Sequence, residues 1–176
     1  NIPAKFSHAD VNIGDASESV MEIANLAMMP GDQRYSIKLS WQEDLDGANS
    51  YIIKRKMADG NFMVIGEVAD PSFVDGDNVA KAGKLVPGVT YNYQVIPVKN
   101  NIQGKAIEIS GKDERGLAGD NDRSDRVDGK DIENLARAYG SDYGDEEYNS
   151  LTDTNFDGAV DGKDLIDIGV NFGLKY

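Results

Sequence analysis

The chain has 176 residues, 40% of them hydrophobic, and a formal net charge of −13. That length holds one domain or two small ones with a packed core, and the charge argues against nucleic acid and anionic membranes while favouring cations or a basic partner surface. Cysteine is absent, which removes disulfides and thiolate metal sites, and no run approaches the roughly 18 apolar residues of a membrane span, so no membrane insertion is expected.

Residues 1–22 are polar, with Val11 and Ile13 as isolated apolar positions, and read as a linker or an extra strand. His8 is the only histidine and has no positioned partner in the sequence, so it reads as solvated. No signal peptide is visible. The chain opens on Asn1 rather than Met, which reads as a piece cut from a longer, exported protein, extracellular or on a cell surface.

Residues 23–112 carry the signals of short strands. Tyr35, Ile37, Leu39 and Trp41 alternate with polar or basic residues, the period of a half-buried strand. Tyr51 to Ile53 begins another, Ala58-Asp59-Gly60-Asn61 is a hairpin turn, and Phe62 to Val68 returns. Phe73-Val74-Asp75-Gly76 marks a short strand and turn, Tyr91, Tyr93 and Val95 alternate again, and Asn100-Asn101 with Gly104 leads to Ile107 and Ile109. Six or seven strands at this spacing predict an all-β, immunoglobulin-like sandwich. Trp41 lies in phase with Ile37 and Leu39 and is expected in the core, as are Tyr51, Phe62, Tyr91 and Tyr93. The acids Asp44, Asp46, Asp59 and Asp75 sit in turn signals, and none forms the carboxylate pair of a glycosidase.

A Pro-Gly turn in Leu85-Val86-Pro87-Gly88-Val89-Thr90-Tyr91 precedes a tyrosine that opens a strand, so its hydroxyl can turn back onto the upstream backbone. With Trp41 on an early strand, this segment resembles a fibronectin type III domain over about 85 residues. It departs from that pattern in the long Asp75–Lys84 connection and in an indistinct first strand. Residues 110–119 form a polar linker short enough for two domains to touch.

Residues 113–176 contain one pattern twice, and Val-Asp-Gly-Lys-Asp recurs unchanged at Val127–Asp131 and Val160–Asp164. From Leu117 onward there are 15 acidic and 6 basic residues. Calcium takes six to eight oxygens, and a 12-residue loop offers them from positions 1, 3, 5, 7, 9 and 12, with a left-handed residue at position 6. The second copy fits throughout: Asp153, Asn155, Asp157, the Ala159 carbonyl, Asp161 and Asp164, with Gly158 at position 6. The first offers Asp120, Asp122, Ser124, the Arg126 carbonyl, Asp128 and Asp131, but has a neutral Ser124 at position 5 and Asp125 at position 6. Two calcium sites are expected, the second the tighter. Asp125 either stays at position 6 or becomes a ligand through a shift of the loop. Val127 and Val160 are expected to link the two loops.

After each loop an apolar period predicts one helix, with Ile132, Leu135, Ala136 and Tyr139 buried in the first and Leu165, Ile168, Gly169 and Phe172 in the second. This duplicated, small all-α loop–helix unit, with aspartate at position 12, Tyr148 ahead of the second loop and Phe172-Gly173 at the end, resembles the dockerin domain of cellulosomes, closer to type II. The resemblance covers Leu117 to Gly173. It implies a non-catalytic module that binds a cohesin domain on a scaffold or cell-surface protein, braced by a preceding β-sandwich. It also implies contact through loop positions 10 and 11, here Gly129-Lys130 and Gly162-Lys163, and along the exposed helix faces. Those faces differ: Glu133 and Arg137 on the first, Ile166 and Val170 on the second. The serine–threonine pair of better-known dockerins is absent, so the partner's identity does not carry over.

Ile166 and Val170 form an exposed apolar pair expected to touch the partner, or they pack on the sandwich or the Leu174-Lys175 region. Two further readings stay open: a calcium-stabilised end module without a cohesin partner, and a carbohydrate-binding sandwich with an appended dockerin. No nucleophile, histidine pair or cofactor loop points to an enzyme.

Overall fold

A computed structural model describes residues 21–33, 35–43, 47–79, 82–113 and 116–176. The expectations for His8, Val11, Ile13, Asp44 and Asp46 fall outside the described residues. The last part of the 1–22 segment runs beside the turn before the final strand: Lys105 donates its amide to Met21 O at 2.8 Å, and Glu22 pairs with Lys105 at 2.8 Å.

Eight strands precede two helices: β1 (Ala24–Pro30), β2 (Ile37–Gln42), β3 (Ser50–Lys56), β4 (Phe62–Val68), β5 (Ser72–Asp75), β6 (Tyr91–Lys99), β7 (Ile102–Gln103), β8 (Ile107–Gly111), α1 (Gly129–Ala138) and α2 (Gly162–Asn171). Strands β1, β2 and β5 form one antiparallel sheet in that order; β4, β3 and β6 form the other, with β7 and β8 both pairing with β6. The two sheets close as a β-sandwich. Alternation puts Ile37, Leu39 and Trp41 of β2, Tyr51 and Ile53 of β3, and Tyr91, Tyr93 and Val95 of β6 into one core. The indistinct first strand is β1, where polar Asn25 takes a left-handed φ of 53° and the register with β2 slips.

Two positions differ from the sequence reading. Tyr35 is not part of β2: it lies in the turn before it, with φ 58°. Asp75 is not a turn acid. It closes β5, fully buried, and accepts from Arg55 Nη1 at 2.8 Å and from the Tyr93 hydroxyl at 2.7 Å on the same oxygen. Arg55 follows Tyr51 and Ile53 in phase, so β3 drives its charge into the core, where Asp75 compensates it. The other end of the guanidinium donates to Ala82 O and to Gly83 O, the latter at 3.2 Å, and so ties down the connection after β5. The tyrosine corner forms as expected: Val86 N–H donates to the Tyr91 hydroxyl at 2.7 Å.

In the C-terminal lobe each helix starts two residues earlier than position 12. Asp128 and Asp161, at position 9, are the N-caps, and each forms a reciprocal capping box with the position-12 aspartate three residues on. The repeated Asp-Gly-Lys-Asp is thus a helix start. Leu135 and Ile168 are buried as expected, but the stripe around them is rotated from the one expected. Asp131, Leu135 and Ala138 face inward on α1, and Asp164 and Ile168 on α2, whereas Ile132, Ala136, Tyr139, Leu165, Gly169 and Phe172 are exposed. The reason is the loop. Turning the position-12 carboxylate inward fixes the helix rotation, and Leu135 and Ala138 on α1 and Ile168 on α2, at the +4 and +7 places, follow it.

Val127 and Val160 are fully buried in the small core with Leu135, Ala138 and Ile168. Their backbones do not pair with each other. Val160 exchanges hydrogen bonds with Gly140 and Ser141 beyond α1, and Val127 with Gly173 and Leu174 beyond α2. Each loop is therefore tied to the far end of the other repeat's helix.

Candidate metal centre

In the first loop one carboxylate oxygen each from Asp120, Asp122 and Asp131 converge, all within 4.8 Å of one another. Loop amides hold them in place. Asp120 Oδ1 accepts from Ser124 N at 2.9 Å and Oδ2 from Asp125 N at 2.9 Å, while Asp131 accepts from Asn121 N and Asp128 N, both at 2.8 Å. Asp125 stays at position 6 with φ 69°. The second loop repeats the scheme. Asp153 accepts from Asp157 N at 3.1 Å and Gly158 N at 3.0 Å, and Asp164 from Thr154 N and Asp161 N, both at 2.8 Å. Gly158 takes φ 93° at position 6, where a Cβ would also lie 3.2 Å from Ala58 O of the β3–β4 hairpin tip. Position 3 is an amide, Asn155, whose oxygen accepts from Asp157 N at 2.9 Å.

Asp120, Asp131, Asp153 and Asp164 are fully buried, and among the described residues none of them is in an ion pair. Burial raises the carboxyls of Asp120, Asp131 and Asp153 above their ordinary value, although loop amides oppose the shift and, at Asp153, the Tyr148 hydroxyl does too. Buried, oxygen-only sites of this charge fit a hard divalent cation. Asp120, Asp122, Ser124, Asp128 and Asp131 with the Arg126 carbonyl would hold it in the first loop; Asp153, Asn155, Asp157, Asp161 and Asp164 with the Ala159 carbonyl would do so in the second.

The eight residues expected to meet a partner are all exposed: Gly129, Lys130, Glu133, Arg137, Gly162, Lys163, Ile166 and Val170. The matching Gly-Lys pairs do not behave alike. Lys130 reaches Glu133 at 3.0 Å, and Arg137 reaches Glu133 at 2.5 Å, a charged staple that lowers the Glu133 carboxyl to about 2. Lys163 instead reaches Asp157 at 2.6 Å, the position-5 carboxylate that the first loop replaces with Ser124. That contact lowers Asp157 and raises Lys163 from their ordinary values. Ile166 is 64% and Val170 77% exposed, so neither packs on the sandwich or on the Leu174-Lys175 region.

The lobes meet through residues that sequence patterning did not single out. Arg123, at position 4 of the first loop, pairs with Asp77 at 2.7 Å, donates to Leu85 O at 2.6 Å and lies over the Tyr35 ring at 4.5 Å. Phe156, at position 4 of the second, packs on the sandwich core with its ring edge-on to Tyr91, 5.0 Å between centroids. The Tyr35 hydroxyl lies 3.5 Å from Asp120 Oδ2 and 3.3 Å from Asp125 Oδ1. The only available signal was an arginine and a phenylalanine at matching places in loops that need neither for a cation.

No family model matches the chain, and no curated protein matches it. Among solved structures, a Fn3-like protein from Clostridium thermocellum is similar at 22% identity and TM-score 0.42, covering 52% of this chain and 92% of that one. The fn3 domain of human collagen alpha-1(XX) chain is similar at 19% identity and TM-score 0.42, covering 56% and 90%. Pectate lyase PelI from Erwinia chrysanthemi is similar at 19% identity and TM-score 0.32, covering 48% of this chain and 28% of that one. The sandwich itself rests on the strand order and register above.

Proposed function

We propose that this chain is a calcium-dependent, non-catalytic docking module of dockerin type, which binds a cohesin domain of a scaffold or cell-surface protein outside the cell, with the fibronectin type III-like sandwich as its brace. The observation that carries this reading is the outer face of α2. Ile166 and Val170 stand one turn apart and exposed, while Ile168 of the same helix is fully buried. A helix that spends its inward face on a small core and turns aliphatic side chains to water is built to be covered. Calcium would fill the two oxygen-lined loops at the starts of α1 and α2 and supply the charge that their buried carboxylates lack. The chain's own residues do the rest: Asp128 and Asp161 cap the helices, and Leu135, Ala138 and Ile168 pack them.

Of the aromatics expected in the core, Trp41, Tyr51, Tyr91 and Tyr93 are buried and Phe62 alone is half-buried outside it, which offers little for the sugar-binding alternative. Binding of the full chain to a panel of cohesins, with calcium and with chelator, tests the proposal. Retention on at least one cohesin only in calcium is expected. No retention on any of them leaves a calcium-stabilised end module instead.

A further inference from the structure

We infer that the sandwich supplies a positioning residue to the first loop: Tyr35 does for Asp120 what Tyr148 does for Asp153. This rests on reading the loops as calcium sites. In the second loop, Tyr148 stands five residues ahead of Asp153 and donates its hydroxyl to Asp153 Oδ2 at 2.7 Å. The place five residues ahead of Asp120 holds Arg115, so the first repeat has no tyrosine there. The same carboxylate oxygen nevertheless faces a tyrosine hydroxyl. It comes from Tyr35, 85 residues upstream, in the turn between β1 and β2.

That turn is built for the purpose. Tyr35 has φ 58°, a conformation that few non-glycine residues adopt. Its ring lies under the Arg123 guanidinium, which Asp77 and the Leu85 carbonyl anchor to the sandwich. The sandwich thus grips the loop by one side chain that leaves it, Arg123, and one hydroxyl that enters it. The first loop has more need of such support. Its position 5 is the neutral Ser124, and its position 6 is Asp125, held left-handed where the second loop has Gly158. The Tyr35 hydroxyl lies 3.3 Å from Asp125 Oδ1 and 3.5 Å from Asp120 Oδ2, so its single proton is shared between the costly residue and the position-1 carboxylate. Hydrogen bonds behind a ligand orient it, and their loss costs about tenfold to a hundredfold in metal affinity. By linkage, calcium in the first loop tightens the grip on the sandwich by the same factor.

The test uses the full chain, stripped of calcium and titrated back in competition with a chelator of known affinity. The amide signals of Asp125 and Gly158 report the two loops separately by NMR. Tyr35→Phe is expected to raise the calcium needed at Asp125 by about tenfold and to leave Gly158 in place; Tyr148→Phe is expected to do the reverse. Asp77→Asn, which touches neither loop carboxylate, is expected to move Asp125 in the same direction as Tyr35→Phe by loosening Arg123. Terbium in place of calcium, excited through tyrosine, gives a second readout. Tyr35→Phe should lower the sensitised emission of the first loop at saturation without abolishing it, because Tyr176, whose amide donates to Asp125 O at 2.9 Å, stays beside that loop. An unmoved Asp125 transition in Tyr35→Phe, or an equal shift at both amides, overturns the inference and leaves the calcium reading intact. A wild-type chain whose Asp125 and Gly158 signals ignore calcium overturns both.

Discussion

Arg123 and Phe156 hold the same fourth place in their loops, with φ of 59° and 58°, and both side chains leave the loop to enter the sandwich. The left-handed backbone points them outward, away from the side-chain oxygens at positions 3 and 5. The repeat therefore presents the sandwich with a matched pair of prongs, one ionic and one aromatic.

Removing both prongs should uncouple the lobes. Phe156→Ala loses a partly buried ring and its edge-on contact with Tyr91, about 1–3 kcal/mol. Arg123→Ala removes the Asp77 pair, the Leu85 hydrogen bond and the Tyr35 stack together. Scanning calorimetry in calcium is expected to show one transition for the wild-type chain and two for the double variant. A double variant that melts in one step at the wild-type temperature would show that these contacts do not join the lobes.

The Arg55–Asp75 pair makes a second prediction, internal to the sandwich. Both side chains are fully excluded from solvent, so Asp75→Ala strands the guanidinium and the Tyr93 hydroxyl at once. Breaking a buried pair from one side costs about 3–5 kcal/mol. A urea midpoint for Asp75→Ala within the error of the wild-type value would mean that the ion pair carries no net stability.

Much of this architecture was legible from residues alone. Alternation located β2 and β6, the Ala58–Asn61 turn located β4, the Tyr91 corner formed where the spacing put it, and a helix follows each copy of the repeat. Part of what escaped depends on chain segments far apart in sequence. Asp75 looks like any turn acid until Arg55 meets it across the fold. The helix faces were misphased because apolar spacing alone favoured Ile132 and Leu165, while the inward carboxylates of Asp131 and Asp164 set the rotation. Arg123 and Phe156 have no local role to betray them, since their partners lie in the distant sandwich.

Calcium removal should act on one lobe first. Four buried carboxylates, Asp120, Asp131, Asp153 and Asp164, would lose their compensating charge, and the core they surround has only five buried apolar residues. Binding energy in such a lobe is folding energy. Chelator is expected to reduce the helical circular dichroism at 222 nm while the near-ultraviolet signal of buried Trp41, which sits 5.1 Å from Tyr51 in the sandwich core, persists. Helical signal that survives an excess of chelator would show that α1 and α2 stand without a cation.

The exposed pair on α2 gives the most direct test of the docking surface. Ile166 and Val170 touch little of their own chain, so Ile166→Asp with Val170→Asp should shift stability by only about 0.5 kcal/mol or less per site. Against a partner that covers them, two buried aspartates without counter-charges should cost several kcal/mol, about a thousandfold or more in Kd. The matching change on α1, Glu133→Ala with Arg137→Ala, removes an exposed staple and is expected to move Kd by less than about tenfold. Surface plasmon resonance on whichever cohesin retains the wild-type chain measures both. A large loss from the α1 variant with an unaffected α2 variant would place the main contact on the charged helix and reverse the assignment.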